Sequence, residues 1–114
     1  MIYNAFDIVR VPFPFTDRNT AKNRPALVLS NAKSFNRPAG HSVMAMITSA
    51  SHNPWPLDRA INDLTSAGLP SASIVRFKLF TLDHRLVRGR LGKLSDTDRE
   101  NVLLNLAELM GLKP

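Results

Sequence analysis

Helical periodicity is confined to one stretch at the C-terminal end of this chain, so the backbone before it must find its hydrogen bonds in strands and turns. Val102, Leu103, Leu106, Leu109 and Met110 recur at helical spacing, which predicts an apolar stripe laid on a sheet. Ser95 is a good N-cap, Asp96 and Asp98 stand where the positive helix end favours acids, and Gly111 ends the run.

Upstream, β-branched and aromatic residues come in short bursts. Asp7 to Phe15 is the first; Pro12 and Pro14 remove amide donors, so it is expected at an edge or running out into extended chain. The polar stretch Thr16 to Asn23 reads as an exposed loop, after which Arg24 and Pro25 open a second strand, Ala26 to Ser30. Val43 to Thr48 is almost wholly apolar and belongs in the middle of the sheet. A long connection, Ser49 to Ser73, carries Pro54, Pro56, Gly68 and Pro70, with a short helical turn expected around Arg59 to Leu64. Ile74 to Phe80 alternates, with Val75, Phe77 and Leu79 on one face and Ile74, Arg76, Lys78 and Phe80 on the other. Leu86 to Leu91 is the last expected strand. The sum is a β-rich α+β fold, a small antiparallel β-barrel with a terminal helix.

With 114 residues, the chain is expected to form one domain over its whole length, 1–114, with a core thin enough that a homodimer would help it. Fifteen Lys and Arg against 9 Asp and Glu give a net charge of +6, which attracts polyanions, nucleic acid first among them. The absence of cysteine excludes disulfides, thiolate zinc sites and cysteine nucleophiles. No stretch approaches the roughly 20 apolar residues that span a bilayer, and Met1 to Arg10 has no signal-peptide pattern, so a reducing cytoplasm is the expected compartment and a membrane is not an expected partner.

Several residues bear chemistry. Pro25 biases Arg24 toward an extended backbone, so its planar fork is aimed and able to grip a phosphate, although a plain surface arginine at a strand start fits as well. Thr48 ends the most apolar strand with a χ1 narrowed by β-branching; satisfying local backbone is its ordinary alternative. His41, His52 and His84 lie in polar segments without a site-like spacing and read as solvated loop residues. Asp58, Asp63 and Asp83 are scattered, so neither metal nor other cofactor is expected. Trp55, between two prolines, is placed either on an unpaired base or, somewhat better, over the end of the barrel.

The ordered blocks FDIVRVPFPFTD, NRPALVLS, MITSA, WPLD, AGLPSASIVRFKLFTL and LGKLS resemble the PemK/MazF toxins over nearly the whole chain. The resemblance implies an SH3-like barrel with a C-terminal helix, a homodimer, cleavage of single-stranded mRNA at short motifs, and restraint by a cognate antitoxin. Arg24 matches the catalytic arginine and Thr48 the catalytic threonine; Lys22, Ser49, Ser73, Arg76 and Lys78 are the candidate RNA contacts. Two departures stand out: Phe6 where relatives usually have glycine, and Lys78 where some carry an acid. The expected reaction is metal-independent attack of the ribose 2′-OH, leaving a 2′,3′-cyclic phosphate and a 5′-OH, with Arg24 stabilising charge and Thr48 donating a hydrogen bond. His52, four residues past Thr48, is a candidate for the missing base. A CcdB-like toxin that binds DNA gyrase, or a non-catalytic nucleic-acid-binding module, remains as the alternative.

Overall fold

A computed structural model describes residues 2–13 and 22–112. Six strands form one antiparallel sheet: β1 (Asp7–Phe13), β2 (Lys22–Val28), β3 (His41–Ser49), β4 (Arg59–Ala60), β5 (Ser73–Asp83) and β6 (Arg90–Lys93), in the spatial order β4-β5-β3-β2-β1-β6. The sheet is curled, so the expected barrel takes the form of a half-barrel with a C-terminal helix. Besides the strands there is a π-helical turn (Ala32–Asn36) running into an α-helical turn (Arg37–Ala39), a short helix α1 (Leu64–Ala67), a 3₁₀ turn (His84–Leu86) and the long helix α2 (Asp96–Leu109).

Alternation along the strands builds a core on each face. Ile8, Leu27, Ala45, Ile47, Val75 and Phe77 point to one side and pack with Ala67, Leu69, Leu94 and Val102. Val9, Val11, Ala26, Val28, Met44 and Leu82 point to the other, under Tyr3. The β3–β5 register shifts by two residues between Ala45 and Met46, so Phe77 and Lys78 bulge from β5; Leu79, past the bulge and opposite Ala45, is exposed although it shares parity with Val75 and Phe77.

Several expectations shift. β1 is interior rather than an edge, but β6 pairs only with Asp7, Ile8 and Val9, so Pro12 lies past its reach and is tolerated. Pro14, Phe15 and the loop from Thr16 to Ala21 lie outside the described residues; Lys22 and Asn23, expected in that loop, are already paired in β2. The helical turn expected at Arg59 to Leu64 forms further on, because Asp63 caps Ser66 N and Gly68 closes it at φ 71°. The strand expected at Leu86 to Leu91 begins only at Arg90, since Asp83 caps a 3₁₀ turn and Gly89 adopts φ 122°. Helix α2 begins after its Ser95 cap as expected, yet its stripe is narrower than the spacing implied: Val102 is buried while Leu103, Leu109 and Met110 are exposed.

Two close approaches hold the long connection. A Cβ on Gly92 would lie 2.4 Å from Ser66 O, and one on Gly68 would lie 2.1 Å from Leu91 O, so α1 and β6 touch backbone to backbone. The buried carboxyl of Asp98 accepts from Asn62 N at 3.0 and 3.1 Å and from Asp63 N at 2.9 Å, stitching α2 to the cap of α1. Phe6, where a glycine is usual, sits at φ 72° just before β1; its ring packs against the core, which offsets the backbone cost.

At the far end, His84 Nε2 meets the buried Ser42 hydroxyl at 2.6 Å and its ring lies edge-on to Tyr3. Burial first, and the positive charge of His41 second, hold His84 below the ordinary imidazole range. The neutral ring is therefore favoured in the fold, whereas the unfolded chain takes up the proton first. The contribution is full above the free value of about 6.5 and is lost as pH falls below it toward the lower folded value. Melting temperature should decline from pH 7 to 5, and His84→Gln should flatten that slope; an equal slope in the variant would place the titration elsewhere.

Candidate functional site

The site forms where β2 begins and β3 ends. Ala26 faces Met46 in the β2–β3 ladder, and carrying that register two residues outward sets Arg24 opposite Thr48. Arg24 and Thr48 line one solvent-open groove of about 460 Å³, together with Ser49, His52, Ser71 and Ser73. Phe13, Pro25, Leu69 and Pro70 supply apolar wall. Ser49 and Ser73 are partners across β3 and β5, so those hydroxyls sit on paired strands. A wider groove of about 600 Å³ shares Pro25, Leu69 and Pro70 with the first and reaches Arg10 and Asn23.

Thr48 Oγ1 lies 2.5 Å from His52 Nδ1. His52 N also donates to Ser49 O at 3.2 Å, so a turn at the end of β3 folds the imidazole back over the threonine. Hydroxyls fill the surroundings: Ser49 Oγ is 2.8 Å from Ser51 Oγ, and Ser73 Oγ donates to Ser71 O at 2.8 Å.

Arg76 does not line the groove. Its Nε and Nη2 bind both carboxyl oxygens of Asp58, at 3.2 and 2.9 Å, and Nη2 also donates to Asn53 O at 2.6 Å. Only 12% of its side chain is exposed, so the expectation that it meets a phosphate does not fit its position; it fastens the loop after β3 instead. Burial of the Asp58 carboxyl works against its charge, but the Arg76 hydrogen bonds and the Trp55 amide outweigh it and hold the acid below the usual carboxylate range. Lys78 is exposed with its ammonium 4.3 Å from the centre of the Trp55 ring, and Trp55 is itself exposed rather than capping the sheet. Lys22 is exposed at the start of β2, opposite the groove residue Phe13.

The sequence reading thus has four of its residues brought together here, Arg24, Thr48, Ser49 and Ser73. It undervalued His52, for which the spacing of four from Thr48 was the available signal, and it passed over Phe13, Leu69, Pro70 and Ser71. Of the three histidines only His52 is an exposed loop residue, and it is bonded to Thr48; His41 opens β3, and His84 is packed as described. Among the described residues no three His, Cys, Asp or Glu side chains are grouped as metal ligands, and no helix is long and apolar enough to cross a membrane.

Removing the Arg76 side chain frees the loop and strands a partly buried carboxyl. Arg76→Ala should therefore remain folded with about 1–3 kcal/mol less stability in urea, and proteolytic nicking between Ser49 and Asp58 should rise. Unchanged nicking would mean that the clamp does not set the loop.

Fold and site together define a small curled-sheet domain whose open groove, at the rim of the central strands, carries a guanidinium, an imidazole and several hydroxyls against an apolar wall. Residues 4–110 match the family model described as PemK-like, MazF-like toxin of type II toxin-antitoxin system, and the chain belongs to that family. The folds of several solved structures agree. MazF from Deinococcus radiodurans is 24% identical, with 97% of this chain and 98% of that one covered at a TM-score of 0.73. An endoribonuclease in complex with its cognate antitoxin, from Mycobacterial species, is 19% identical, with 98% of each chain covered at 0.76. Toxin MazF-mt6 from Mycobacterium tuberculosis is 17% identical, with 95% and 99% covered at 0.72. No curated protein sequence matched the chain.

Proposed function

We propose that this toxin is an endoribonuclease that cuts single-stranded RNA, mRNA in particular, without a metal ion. The observation that carries the reading is the convergence of Arg24 and Thr48 on one open groove. RNA supplies its own nucleophile, so the protein has to position the 2′-OH in line, steady the charge on five-coordinate phosphorus and manage protons. Arg24 grips the phosphate oxygens and offsets the added charge; its guanidinium is too weakly acidic to serve as a base. Thr48 donates a hydrogen bond to the same phosphate. The O2′–P bond forms, the P–O5′ bond breaks, and the products are a 2′,3′-cyclic phosphate and a 5′-OH.

Ser49 and Ser73 contribute further hydroxyls, while Lys22 and Lys78 meet neighbouring phosphates, Lys78 beside an aromatic face on which a base can stack. The net charge of +6 supports such a partner. The protein works in the cytoplasm as a homodimer checked by a cognate antitoxin. Family membership supports the antitoxin, and the exposed apolar residues Leu103, Leu104 and Leu109 on α2, with Met110 at its C-cap, support a covered face.

The test is incubation of the purified protein with a long unstructured RNA in EDTA, followed by end mapping. Fragments ending in 2′,3′-cyclic phosphate and 5′-OH are expected. Intact RNA, or cleavage that appears only when Mg²⁺ is restored, would contradict the reading.

A further inference from the structure

We infer that His52 is the general base of the reaction, a role that rests on the nuclease reading above. Cleavage through the 2′-OH needs an acceptor for the hydroxyl proton, and the guanidinium of Arg24 cannot be one. Among the described residues, His52 is the one side chain lining the groove with a basic nitrogen lone pair: the others are Arg24, hydroxyl residues and apolar residues.

The geometry assigns the two ring nitrogens different tasks. Nδ1 is engaged with Thr48 Oγ1 at 2.5 Å, which leaves Nε2 as the atom available to a ligand. With the proton on Nδ1, the ring donates to Thr48 Oγ1, and the threonine hydrogen is then turned outward to a phosphate oxygen. One contact thus sets both the tautomer of the base and the direction of the threonine donor. Nε2 takes the proton from O2′ as the O2′–P bond forms; water protonates the departing O5′ as the P–O5′ bond breaks; the imidazolium afterwards returns its proton to solvent.

His52 lies on a connecting loop, yet the loop is fastened beside it. Asn53 O accepts from Arg76, Asp58 binds Arg76 through both oxygens, and Asp58 also accepts from Trp55 N at 2.9 Å. These residues are positioning residues: they hold the turn that folds His52 over Thr48.

Single-turnover cleavage of an unstructured RNA in EDTA tests the assignment, with wild type, His52→Ala and His52→Gln, and with affinity measured separately on 2′-O-methyl RNA. Glutamine can keep a hydrogen bond to Thr48 but cannot take a proton. Both variants should lose about 100-fold or more in the chemical step with affinity nearly unchanged, and added imidazole should restore part of the rate to His52→Ala and none to His52→Gln. Near-normal cleavage by either variant, a loss matched by weaker binding, or no restoration by imidazole would each overturn the role of His52 while leaving the nuclease reading standing. Intact RNA with the wild type would overturn both.

Discussion

Arg24→Ala is expected to slow RNA cleavage by about 1000-fold while leaving the melting curve unchanged. Removing one preorganised donor from a developing oxyanion costs about 10² to 10³ in rate, and a charged, bidentate donor belongs at the upper end. The fold should not notice, because Arg24 is exposed at the start of β2 and the buried part of that strand begins at Ala26. Arg24→Lys should recover little, since an ammonium replaces the planar fork by a point charge. Rates for the three proteins, together with their melting temperatures, check this; cleavage by Arg24→Ala within about tenfold of wild type would remove the guanidinium from the chemistry.

Asp98→Ala should have the largest effect on stability. The carboxyl is 1% exposed and holds Asn62 N and Asp63 N, two backbone amides that would be left without an acceptor. A hydrogen bond to a charged group contributes about 1.5–3 kcal/mol, so a loss of about 3 kcal/mol or more is expected, a drop in melting temperature on the order of 15 °C. Asp98→Asn keeps one oxygen and should lose less than half of that. The damage should reach function too, because Asp63 caps α1 and the chain leaving α1 supplies Leu69, Pro70 and Ser71 to the groove. Urea unfolding of the two variants checks the order; equal stability of Asp98→Ala and wild type would mean that those amides find other partners.

Much of the sheet was legible because its signals are local. Val43 to Thr48 announced a central strand through composition, and Ser95 marked the start of α2 within a residue. What failed was decided at a distance. The exposed side of α2 depends on how far the sheet extends beneath it, which no spacing in the helix reveals. The polar knot around the buried Asn36, whose amide nitrogen donates to Tyr3 O and Ser30 O, joins residues 33 apart in sequence, and the turn containing it went unseen. Arg76 looked like a free cation on a strand because its partner Asp58 lies 18 residues earlier. The groove was legible only in part: Arg24 and Thr48 entered through resemblance, whereas their juxtaposition comes from the β2–β3 register. His52 is local to Thr48, but nothing short of the turn at Ser49 shows that its ring folds back.

The convergence of Arg24 and Thr48 on one phosphodiester is tested most directly by a double-mutant cycle on the cleavage step. Rates are measured in EDTA under single turnover for wild type, Arg24→Ala, Thr48→Val and the double variant. Groups that stabilise the same phosphorus act as a unit, so the double variant should be little slower than Arg24→Ala alone. Losses that multiply in full would show two independent contributions and would contradict a shared phosphate.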